Sequence, residues 1–177
     1  MRSRYKIDHP GEVYFLTATV IEWIPALNGP EERALLIDAL AYCRREKGLR
    51  LYAYVIMDNH LHLLAQAPDL SRTIQSVKRH TARQLIALFQ QRGQSWLLNQ
   101  FAYHKKNYKD ESDHQFWQEG THPQRIEGDA MLAQKIDYIH DNPVRRGWVD
   151  LPEHWRHSSA RNYVTGDQTV LEIDFLT

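Results

Sequence analysis

Leu51 to Gln66 is two apolar runs divided by Asp58-Asn59. Asp and Asn favour a tight reversal of the chain. The stretch therefore predicts a β-hairpin, with strands at Leu51 to Met57 and His60 to Gln66. A hairpin this apolar commits the chain to a sheet with a buried face. In the second strand Leu61, Leu63 and Ala65 share one face and make a core surface. His60 and His62 share the other. Two imidazoles at i and i+2 stand side by side and can share one divalent cation.

The remaining elements follow from spacing and breakers. Val13 to Val20 is apolar on both faces, which suits a central strand. Pro30 opens a helix that runs to about Lys47, with Gly48 as its C-terminal cap and Leu36, Ala39, Leu40 and Cys43 on one stripe. Ser71 is the expected N-cap of a second helix reaching about Gln91, with Ile74, Val77, Leu85 and Phe89 inward. Arg92 to Gln115 reads as loop, and Phe116-Trp117-Gln118 as the start of a strand. A third helix is expected from Gly128-Asp129 to Asn142, because Pro143 breaks it. The tail reads as a short helix and a strand at Val170 to Phe175. The order β-α-β-β-α-β-α plus a tail predicts an α+β fold. It would be one ferredoxin-like antiparallel sheet with helices on one face, a single domain spanning 1–177. In that reading the hairpin strands are central.

Composition narrows the function. The chain has 177 residues, 42% hydrophobic and 25% charged, an ordinary globular balance. The 22 basic and 22 acidic residues cancel. That argues against nonspecific coating of duplex DNA and leaves room for local basic patches. No apolar run has the length of a membrane span, and the N-terminus has no signal-peptide core. Cys43 is the only cysteine, so no intramolecular disulfide forms and a cytoplasmic setting is expected.

Two buried, hydrogen-bonded histidines would also fit the His60-Leu61-His62 pattern. Their place on the non-core face favours a metal. With no cysteine nearby, Mg²⁺ or Mn²⁺ between nitrogen and oxygen ligands fits better than a structural zinc, although imidazole also takes Zn²⁺. On the third helix Leu132, Ile136 and Ile139 form the buried stripe. Tyr138 points away from it, and Asn142, at i+4, is expected on the same exposed face. Asn142 could donate an amide oxygen to the metal. Tyr138 is the candidate nucleophile, and Lys135, one turn earlier, could steer a phosphate toward it. His140 reads as structural.

At this point the residues resemble a known family. His60-Leu61-His62 resembles the HUH motif of single-tyrosine transposases. Ile136-Asp-Tyr-Ile-His-Asp-Asn-Pro-Val-Arg-Arg-Gly-Trp-Val149 is similar to the tyrosine-bearing helix of REP-associated tyrosine transposases. Phe116-Trp-Gln-Glu-Gly120 and Trp155-Arg-His-Ser-Ser-Ala160 resemble other segments of that group. The resemblance implies a ferredoxin-like catalytic domain acting on single-stranded DNA beside a hairpin. It maps the metal ligands onto His60 and His62, the catalytic tyrosine onto Tyr138, and the polar residue one turn later onto Asn142. The implied reaction joins Tyr138 to a 5′ phosphate and frees a 3′ hydroxyl. Many insertion-sequence relatives carry glutamine where this chain has Asn142, and the stretch from Trp117 to Tyr138 is longer here than in some REP-associated members. Insertion-sequence relatives work as dimers and REP-associated ones as monomers, so the resemblance leaves both states open.

Candidate DNA contacts are Lys105 and Lys106, set among aromatics in Phe101 to Lys109; Lys78 and Arg79 on the second helix; and Arg145 and Arg146 after the third. Arg2, Arg4 and Lys6 form a further basic cluster. Two other readings compete with strand nicking and joining. One is a hairpin-binding module that does not cleave. The other is a small metallohydrolase with no need of Tyr138.

Overall fold

The computed structural model describes residues 6–176. Arg2 and Arg4 of the first basic cluster lie outside them. Strand β1 is Tyr14–Thr19, helix α1 Pro30–Lys47, β2 Arg50–Ile56 and β3 His60–Gln66. Helix α2 is Leu70–Gln91, α3 Ser95–Tyr103, β4 Gln124–Arg125, α4 Asp129–Arg145 and α5 Ala160–Thr165. The strands pair antiparallel in the order β2-β3-β1-β4. This is a ferredoxin-like sheet, the class expected from the sequence.

Local chemistry sets the helix ends. In α1, Pro30 occupies the first turn with Glu31 and Glu32, while Arg44, Arg45 and Lys47 occupy the last. Both sets match the helix dipole. Gly48, at φ 63°, closes the helix in a left-handed conformation that glycine adopts without strain. The N-cap of α2 is Asp69 rather than Ser71: its carboxylate accepts from the Arg72 amide at 3.0 Å.

The sheet buries both faces. On one, Leu16 and Ala18 of β1 and Leu61, Leu63 and Ala65 of β3 pack with Leu36 and Leu40 of α1 and Ile74, Val77 and Leu85 of α2. On the other, Phe15, Val55 and Leu64 pack with Ile139, Ile136 and Leu132 of α4. The expectation of helices on one face thus describes α1 and α2, while α4 lies across the histidine face.

Several expectations need correction. Only β3 and β1 are central, and β2 is an edge strand. Its amides near that edge are met by the tail, where the Asp174 carboxylate accepts from the Leu51 amide at 2.9 Å. That tail runs alongside β2 without being a strand. Residues 95–103, read as loop, are helix α3. Fully buried Phe101 anchors it against Phe116, with ring centroids 5.1 Å apart. Trp117 makes only a single bridge, to Val20, and the fourth strand comes later, at Gln124–Arg125. Pro143 does not end α4, which continues to Arg145. A proline so near the end interrupts little of the helix, and the Pro143 carbonyl still accepts from Trp148 at 3.0 Å.

Candidate active site

Antiparallel register places the polar positions of β1 against the histidines: Thr19 opposite His60 and Thr17 opposite His62. The His60 and His62 rings lie 4.6 Å apart between centroids. The Thr17 hydroxyl is 2.8 Å from Nδ1 of His62. Nδ1 of His60 lies 2.7 Å from Oδ1 of Asn59, whose amide nitrogen donates to the Trp23 carbonyl at 3.1 Å. That second bond fixes which end of the Asn59 amide faces His60. An amide oxygen only accepts, so Nδ1 of His60 carries the proton and Nε2 keeps a lone pair. Both rings are engaged through Nδ1, by Thr17 and Asn59, which orients them and leaves both Nε2 atoms as potential ligands.

Burial pulls His60 down to about 4, with the Asp58 carboxylate opposing it. Burial, and then the cationic forms of His60, Arg145 and Lys135, pull His62 down to about 3. Both rings are neutral at physiological pH, the form that binds metal. Among the described residues no three His, Cys, Asp or Glu side chains cluster as a complete metal site. Two imidazoles therefore need oxygen from an amide, water or phosphate to complete a shell.

Helix α4 brings the tyrosine to this pair. The Tyr138 ring lies 5.4 Å from that of His62 and 5.8 Å from that of Phe15. It is 42% exposed, so a large substrate can reach the residue. Two cations flank it: the Arg145 guanidinium 4.6 Å from the ring centroid and the Lys135 ammonium at 5.9 Å. Arg145 also donates to the Tyr138 carbonyl at 3.1 Å. Arg146 pairs with Asp58 at 3.1 Å and so ties the end of α4 to the hairpin turn before His60.

Asn142 does not share the exposure of Tyr138. It is buried, at 7%, because α4 sinks toward the sheet at its C-terminal end. One turn before it Tyr138 meets His62, and one turn after it Arg146 meets Asp58. Asn142 is thus bracketed along the helix by contacts to either side of His60. His140 points elsewhere: it is buried, with Nε2 2.8 Å from the Ser159 hydroxyl.

The other basic candidates are not gathered here. Lys78 lies on α2, across the sheet, and donates to the carbonyls of Gln118 at 2.7 Å and Gly120 at 2.8 Å. Burial pulls it down to about 8. It holds the 118–120 segment in place instead of presenting charge. Lys105 donates to the Lys109 carbonyl at 2.6 Å. Arg79 and Lys106 are exposed on that side of the molecule. Sequence reasoning missed Thr17, Asn59, Phe15 and Trp23. The two threonines at alternate positions of an otherwise apolar strand were the available signal.

His60, His62, His140 and His157 are all held below 6.5 chiefly by burial, to about 4, 3, 4 and 4. Below 6.5 the unfolded chain binds more protons at these rings than the folded one. Their contribution is complete above pH 6.5 and is lost as pH falls through 4 toward 3. The urea midpoint of the metal-free protein is expected to drop between about pH 7 and pH 4.5.

A four-stranded antiparallel sheet carrying an exposed tyrosine against two neutral histidines defines a class, and sequence comparison names it. The chain belongs to the IS200-like transposase family, which matches residues 25–142. A protein of Haemophilus influenzae, provisionally named a REP-associated tyrosine transposase, is 30% identical over 119 residues. The match covers 65% of this chain and 61% of that protein, so the chain spans less than two thirds of its relative. The structure of a REP-associated tyrosine transposase bound to a REP hairpin superposes with a TM-score of 0.67. It covers 100% of this chain and 92% of the other at 20% identity, which establishes the shared fold. Among the described residues no helix is long and apolar enough to cross a membrane.

Proposed function

We propose that this protein nicks and rejoins single-stranded DNA beside a hairpin, with Tyr138 as nucleophile and a divalent metal, Mg²⁺ or Mn²⁺, held by His60 and His62. The observation that carries this reading is the packing of the exposed Tyr138 ring against His62, 5.4 Å between centroids, with His60 alongside. A hairpin-binding module has no need of that arrangement. Family membership supports a DNA-processing enzyme, and the hairpin bound to the structural relative supports the substrate class.

Two oriented, neutral imidazoles fit a divalent ion, with the Asn142 amide as a third donor. When bound, the ion would polarise the phosphate and offset its negative charge. The chain's own groups do the rest. The Tyr138 hydroxyl oxygen attacks phosphorus and gives up its proton to solvent. The bond from phosphorus to the 3′ oxygen breaks, and that oxygen takes a proton from water. Lys135 and Arg145 offset negative charge that develops on the phosphate in the transition state. The 5′ phosphate stays on Tyr138, so a returning 3′ hydroxyl reverses the step without an outside energy source. Monomer and homodimer are both compatible with this chemistry.

The test is a denaturing gel of the protein with labelled single-stranded hairpins and Mn²⁺. A slow, protease-sensitive, metal-dependent band is expected. Binding without such a band on any hairpin would reduce the protein to a binding module.

A further inference from the structure

The turn beside the histidines carries a feature the reaction above does not use. The Ile24 amide donates to the Ile21 carbonyl at 3.2 Å, closing a tight turn. Its central residues, Glu22 and Trp23, have φ of 50° and 56°. Two successive left-handed residues make a turn that ordinarily carries Asn and Gly. Glu and Trp are strained there. Burial of the indole does not offset that strain, because Trp23 is 55% exposed.

What holds Trp23 is the active site. The Asn59 amide donates to its carbonyl and, through Oδ1, accepts from Nδ1 of His60. One side chain therefore fixes both the Trp23 backbone and the His60 ring. The indole stands edge-on to His60, with centroids 5.9 Å apart and planes at 70°. Tyr138 stands against the other histidine, His62. Nucleophile and indole thus flank the pair from opposite members.

We propose that Trp23 is the stacking platform for the unpaired base adjoining the scissile phosphate, on the side that leaves as the 3′ hydroxyl. The inference rests on Tyr138 as nucleophile and deepens that reading. In-line displacement sends the leaving oxygen away from the attacking one. With Tyr138 beside His62, the leaving side faces His60 and Trp23. An exposed aromatic face next to a phosphate site is what an unstacked base recognises, with little regard to its identity. Trp23 would then set where the strand is cut by seating one nucleotide.

The experiment uses the full chain, Mn²⁺ and single-stranded hairpins with 2-aminopurine on either side of the cleaved phosphate. Tyr138→Phe as background separates seating from chemistry. Quenching of the fluorescence is expected at the 3′-hydroxyl side; the quenching should persist with Trp23→Phe and be lost with Trp23→Ala and Trp23→Gly. With Tyr138 intact, Trp23→Ala should raise KM about tenfold and Trp23→Phe should recover most of that. Trp23→Gly relaxes the turn, so its melting temperature should not fall, which separates lost stacking from lost folding. Unchanged KM and unchanged fluorescence in Trp23→Gly, with adduct still formed, would overturn the inference and leave strand nicking intact. Weakened Mn²⁺ affinity with unchanged KM at saturating metal would also overturn it, making Trp23 a shield over His60. Absence of adduct from the wild type on every hairpin would instead remove the reading beneath it.

Discussion

Tyr138→Phe is expected to abolish the covalent protein–DNA product, lowering its rate of formation by about 10⁴-fold or more, the scale seen when a nucleophile is removed. Hairpin affinity and Mn²⁺ affinity should stay near wild type. The substitution deletes one oxygen and nothing else. The ring that remains still packs on Phe15 and His62, with centroids 5.8 and 5.4 Å away, and still lies under Arg145. Tyr138 is 42% exposed, so losing one oxygen there removes little buried contact. Stability should therefore be unchanged. Measuring adduct yield and hairpin affinity on one preparation separates this account from a metallohydrolase, in which a metal-bound water would leave turnover intact.

His62→Ala should be the second large effect, and of a different kind. It removes a proposed ligand, so Mn²⁺ affinity measured by titration calorimetry should fall by more than about 100-fold, beyond the usual cost of losing a residue that only hydrogen-bonds a ligand. It also removes a buried ring. Phe15, stacked on His62 at 5.3 Å, loses its neighbour, and the Thr17 hydroxyl loses its partner. About 1–3 kcal/mol of stability should go with them. Thr17→Val keeps the ligand and frees the ring to turn. It should weaken Mn²⁺ by about 10- to 100-fold with less change in stability. Equal Mn²⁺ affinity in all three proteins would argue against a metal on this face.

The parts of the fold legible in the sequence were those set by local periodicity. Alternation in His60 to Gln66 showed which face His60 and His62 share, because a strand has no freedom in that respect. Pro30, Gly48 and the charged ends of α1 marked that helix for equally local reasons. The i+4 spacing of Tyr138 and Asn142 was correct, but the tilt of α4 was not a local property. Whether Asn142 is buried depends on how the helix rests on the sheet, which the Asp58–Arg146 pair and the Trp148–Trp155 contact help to set.

What stayed hidden depends on partners distant in sequence. Thr17 acquires its role only through register with His62, 45 residues away. Phe101 looks like part of a polar, aromatic loop until Phe89 and Phe116 close around it. Lys78 looked free to bind phosphate because nothing local shows the Gln118 and Gly120 carbonyls folding onto its ammonium. Asn59 reads as a turn residue, and its bonds to His60 and Trp23 appear only when two separate turns meet.

A phenol oxygen on α4 either becomes bonded to DNA or it does not, and mass spectrometry of the trapped, protease-digested product decides the matter. The peptide containing Tyr138 should carry a 5′-phosphoryl nucleotide on that side chain. The same modification on another residue, Tyr163 for example, or a cleaved strand with no modified peptide, would contradict the mechanism at its root.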